Sequence, residues 1–144
     1  MVSDAFNVTI LPAAPSIFRN STAGLKLIVA TVVRATKGYV VTPSNPVHRG
    51  DILSIYATGL GRTTPSVETG VPSPAEPLAS ALIPPVVTIG GVPVEVQFAG
   101  LTPGEIGVYQ INVRVTDAVP LGLSVPLDIR QGSGSTSLSV RVVQ

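Results

Sequence analysis

The stretch Ile55–Pro65, IYATGLGRTTP, sets a Gly-x-Gly directly behind a strand-like run, DILSIYAT. That order could open a phosphate-cradling loop. Such a loop needs Gly-x-Gly-x-x-Gly leading into a helix, so that backbone amides and the helix dipole meet the pyrophosphate. Here position 64 is Thr, and Pro65 with β-branched neighbours gives no amphipathic helix. A Walker loop also needs Gly-Lys-Ser/Thr, which the chain lacks. Gly59 and Gly61 are expected to make a turn, supplying positive φ where the chain leaves the strand.

The remaining chemistry is sparse. His48 is the one histidine, and Asp51 stands close to it in sequence, so a Ser-His-Asp arrangement is a formal option. No Gly-x-Ser-x-Gly elbow accompanies it. The acids, from Asp4 to Asp128, are spread singly along the chain with no Asp-x-Asp-x-Asp-Gly loop. Cysteine is absent, which removes disulfides, thiolate metal sites and a Cys nucleophile. Tryptophan is absent too, so a sugar platform would have to come from Tyr39, Tyr56, Tyr109, Phe6, Phe18 or Phe98, which mostly sit on strands, and Phe98 and Tyr109 read as core residues. Asn7-Val-Thr9 and Asn20-Ser-Thr22 match the glycosylation sequon, and Lys26 is the candidate for an isopeptide cross-link. No catalytic, cofactor-binding or metal-ligating residue is assigned, and no cofactor is expected.

The elements that would position these residues read as β throughout. Fourteen Gly and fourteen Pro in 144 residues leave little room for long helices. Strand patterns recur between turn signals: FNVTI (6–10), the doubly apolar LKLIVATVV (25–33) as a buried central strand, YVV (39–41) and ILSIYAT (52–58). VVTI (86–89) and VPVEVQF (92–98) flank Gly90-Gly91, a hairpin signal. VYQINVRV (108–115), VPLDI (125–129) and SLSVRVV (137–143) complete the set. TPSNPVHRGD (42–51) reads as a loop. Residues 59–85, rich in Pro and Gly, read as a long surface connection with at most one short strand, either a functional loop or a packed meander.

Charge excludes some partners. Nine Lys+Arg against eight Asp+Glu, with no basic run, offers no footprint for nucleic acid. The longest strongly apolar run, LIVATVV (27–33), is far short of the ~20 residues that span a bilayer, so no membrane insertion is expected. MVSDAFNV lacks the basic start and apolar centre of a signal peptide.

Three stretches together resemble a known family: APSIF (14–18), NPVHRGDILSIYATGLG (45–61) and VTIGGVPVEVQFAGLTPGEIGVYQINVRV (87–115). They are similar to the C-terminal domains of Solibacter and other acidobacterial secreted proteins, from about residue 8 onward. Ser16 stands where those domains usually have Gly. The resemblance implies immunoglobulin-like units of the IPT/TIG type, an extracellular or cell-surface location, and no catalytic residues to carry over. It also implies that residues 1–18 are a leading strand and Pro-rich hinge left from a preceding repeat, with 19–144 as the domain.

The expectation is an all-β, immunoglobulin-like sandwich of about seven to nine strands. Its expected role is a non-catalytic structural or interaction module of an exported bacterial surface protein, engaging a protein partner or a second copy by β-strand exchange through FNVTILP. A glycan-binding module and, behind it, a hydrolase using His48 or paired acids are the alternatives.

Overall fold

The computed structural model describes residues 1–21 and 28–144. It is all-β: among the described residues there is no helix. The strands are β1 (Ser16–Ile17), β2 (Arg19–Ser21), β3 (Ile28–Ala30), β4 (Val32–Arg34), β5 (Tyr39–Val40), β6 (Val47–His48) and β7 (Ile52–Thr58). They continue with β8 (Thr63–Thr64), β9 (Ser80–Ala81), β10 (Val86–Ile89), β11 (Val92–Leu101), β12 (Tyr109–Arg114), β13 (Gly122–Gln131) and β14 (Gly134–Val143).

Most of them join one curled sheet in the order β5-β4-β7-β12-β11-β10-β13-β14-β6. β1 lies beside β7, and β9 then β8 extend from β11. β2 and β3 form a separate antiparallel pair. The curl is made by β11, which pairs through Val92–Val94 with β10 and through Glu95–Leu101 with β12. A bulge between Val96 and Phe98 bends it between those two partners. One long strand thus belongs to both walls of the fold.

Period-two alternation supplies the core. Leu53, Ile55 and Ala57 of β7, Ile111 and Val113 of β12, Val87 and Ile89 of β10, and Leu127 and Ile129 of β13 are all fully buried. They form one cluster, the behaviour of two inward faces packed together. The outward residues of the central strands pair with one another: Ser54 Oγ donates to Asn112 Oδ1 at 3.0 Å.

The 52–58 and 86–89 strands fall where the pattern predicts them, and the Gly90-Gly91 turn joins β10 to β11. The run expected as one central strand at 25–33 differs. Residues 25–27 lie outside the described residues, and β3 and β4 belong to different sheets. The 42–51 loop contains β6, which pairs in parallel with the end of β14 at Val142↔Val47. The 59–85 connection contributes β8 and β9 and buries Ser73 and Ala79, so part of it is a packed meander. Residues 6–10 form no strand: Phe6, Val8 and Ile10 are 88%, 74% and 90% exposed.

The 42–51 loop is held by a buried ion pair. Arg34 Nε and Nη2 donate to Asp51 Oδ2 and Oδ1 at 2.7 and 3.0 Å. The backbone N–H of His48 donates to the same carboxylate at 2.7 Å. Asn45 Nδ2 donates to the Val40 carbonyl, tying the loop back to β5.

Candidate functional site

The Gly-x-Gly turn is a receptacle for chain. Gly59 and Gly61 have φ of 80° and 81°, the left-handed region that a side chain resists. A Cβ on Gly59 would strike the carbonyl oxygen of Ala14, and one on Gly61 that of Pro12. The third wall is Gly134, where a Cβ would stand 2.8 Å from Pro15 Cδ and 3.1 Å from the Ala13 carbonyl oxygen. Residues 12–17 therefore lie backbone against backbone on three glycines. Ala14 N donates to Gly59 O at 2.8 Å, and β1 continues the contact as Ser16↔Thr58 and Ile17↔Ala57. Ala13, Pro15 and Ile17 point inward and are buried.

Each carbonyl of the turn is taken from inside. Gly59 O accepts from Ala14 N, and Leu60 O accepts from Gln131 Nε2 at 2.8 Å. Gly61 O accepts from the Tyr109 hydroxyl at 2.5 Å. Gln131 Nε2 also reaches Ile83 O at 2.7 Å, so this 1% exposed amide fastens the turn to the start of the 83–85 segment. The turn is a strand-to-strand connection that accepts hydrogen bonds from Ala14, Gln131 and Tyr109, and it leads into β8 and no helix.

Beside it lies a groove of about 890 Å³. Its walls include Ile10, Leu11, Arg62, Leu82, Ile83 and Tyr109. A second hollow of about 560 Å³ shares Arg62, Leu82 and Tyr109 with it and adds Thr63 and Leu101. The walls of the first are largely apolar, with Leu82 54% and Leu11 48% exposed, and those of the second are mixed. Tyr109 contributes a ring to the wall, and burial pushes its hydroxyl pKa up from the ordinary 10.0. The arrangement suits apolar or aromatic groups, with Arg62 as a rim cation.

The other sequence candidates lie elsewhere. His48 and Asp51 are linked through the histidine backbone, and the ring Nδ1 instead meets the Gln144 carbonyl oxygen at 2.9 Å. Asp51 is occupied by Arg34. Among the described residues no three of His, Asp and Glu gather as a metal-sized cluster. Tyr39 is 59% exposed on β5, away from the groove lining. Phe98, expected in the core, is half-buried and lies over Gly100. Asn7 and Thr9 are exposed, and Thr22 and Lys26 lie outside the described residues. Among the described residues no helix is long and apolar enough to cross a membrane.

Gln131 and Gly134 escaped the sequence reading. Both fall in RQGSGST, which reads as a flexible polar turn, whereas β13 and β14 run through it with their turn at Gly132-Ser133. The signal was the phase of VPLDIRQ: Val125, Leu127 and Ile129 face inward, so Gln131 must as well.

No family model matches the chain, and neither a curated protein nor a solved structure matches it.

Proposed function

We propose that this chain is a non-catalytic structural or interaction module of an exported bacterial surface protein, built as an immunoglobulin-like sandwich of the IPT/TIG type. Export and sandwich type rest on the motif resemblance in APSIF, GDILSIYATGLG and the 87–115 stretch. The interaction role rests on one observation. Residues 6–10 alternate large apolar and polar side chains, stay exposed, and are joined to a segment held tightly on Gly59, Gly61 and Gly134. Exposed extended segments of this pattern can pair with another sheet or strand. A second copy of the chain is the partner that this reading names, by β-strand exchange.

Light scattering over a wide concentration range tests it, for the full chain and for one lacking residues 1–10. The deletion stops short of Ala13, which packs inside the fold. Assembly of the full chain alone supports the reading. A full chain that stays monomeric throughout removes it.

The groove favours a second reading, a glycan-binding module, because Tyr109 offers a ring and Arg62 a polar rim. A bound sugar would raise the melting temperature with the logarithm of its excess over Kd. An unchanged melting temperature across a panel of cell-wall oligosaccharides ends that reading.

A further inference from the structure

Phe6, Val8 and Ile10 are symmetric about Val8. Two antiparallel copies of this segment, paired with Val8 opposite Val8, set Phe6 opposite Ile10 at both ends. All six apolar side chains then share one face of the ribbon, and Asn7 and Thr9 occupy the other. The pattern favours this register: a shift by one residue turns one copy's apolar set to the opposite face, and a shift by two sets Ile10 opposite Asp4 or Phe6 opposite Pro12.

Such a two-stranded ribbon is marginal by itself and needs a surface against its apolar face. The groove supplies it. Ile10 lines the groove, so the residue paired with Ile10 is delivered to its mouth. In this register that residue is Phe6 of the second copy, arriving beside Leu11, Leu82 and Tyr109. Among the described residues neither a strand nor a backbone hydrogen bond engages residues 6–10 within their own chain.

We infer that the module dimerises with two-fold symmetry through an antiparallel Phe6–Ile10 pair centred on Val8, each copy's Phe6 entering the other's groove. This rests on the self-association reading above, keeps the second copy as partner, and replaces exchange onto a sheet edge by segment-to-segment pairing with a stated surface and register. Strand exchange onto a sheet edge would use the same segment with neither feature.

Single cysteines test the register cleanly, since the chain has none of its own. Directly opposed residues bring their Cβ atoms to about 4.5–5.5 Å, within small adjustment of disulfide geometry. Val8→Cys should cross-link with itself under mild oxidation. Phe6→Cys mixed with Ile10→Cys should give the mixed dimer, and Phe6→Cys alone should not cross-link. Leu82→Asp, at an exposed wall position, should weaken dimerisation about ten-fold, with the melting temperature unchanged at concentrations low enough for the chain to be monomeric.

Assembly by light scattering without Val8→Cys cross-linking overturns the register and leaves the self-association reading standing. Dimerisation unaffected by Leu82→Asp overturns the groove contact, which is the outcome if the groove serves a sugar. A chain that never assembles overturns the self-association reading and this inference together.

Discussion

Phe6, Val8 and Ile10 repeat at every second position, and so do Ala13, Pro15 and Ile17 a few residues on. The first set is exposed and the second is buried. Hydrophobicity runs opposite to this outcome, because the exposed set has the larger side chains. The second set faces three glycines, and a missing side chain on each lets the backbones close to contact. Among the described residues the first set meets no such backbone surface in its own chain. Alternation tells which way a strand would face, and a partner backbone decides whether the strand exists.

The comparison can be broken from the buried side first. Gly59→Ala should cost about 4 kcal/mol, from roughly 1–2 kcal/mol for the left-handed backbone and the remainder from expelling residues 13–17. Denaturant unfolding would measure it. A loss under about 1 kcal/mol, the typical effect of a point change, would mean the segment is not held where the glycines put it. Ile17→Ala should cost about 3 kcal/mol by cavity formation. Combined with Gly59→Ala it should fall short of the sum, since both changes disrupt one contact.

Tyr109→Phe removes the hydroxyl from Gly61 O and should cost about 1 kcal/mol. It should also alter the alkaline limb of stability. The Tyr109 pKa is raised in the folded chain, so the folded state keeps its proton longer than the unfolded state does. Stability from this group is whole below about pH 10 and is lost as pH rises through the folded value. The Phe variant should lose that part of the slope, which parallel pH titrations of unfolding would register.

The smallest effect belongs to the exposed set. Replacing Phe6, Val8 and Ile10 together by Ser should leave monomer stability within about 0.5 kcal/mol. A larger loss would show that residues 6–10 pack on their own domain in solution, and the contrast between the two sets would disappear.

The β character and the 52–58, 86–89 and 108–115 strands were legible because each is an apolar-rich run between turn signals. The bend of β11 was hidden, since its bulge depends on two different partners. β6 was hidden for a similar reason: two residues just after Pro46 carry no period, and their strand identity comes from β14. The turn at Gly59-x-Gly61 was legible as a turn. Its role as a seat for residues 12–17 was not, because the contacts join residues far apart in sequence.

The parallel contact of β6 with β14 has a mechanical consequence. The start of β14, Gly134, touches Pro15, while its end, Val143, pairs with His48. The anchored leading segment and the last residues thus sit at opposite ends of a ten-residue strand, about 30 Å apart. Tension applied through those two points runs along the strands. It loads the β1–β7 and β6–β14 hydrogen bonds together in shear, so they must yield as a set and cannot be peeled open one at a time.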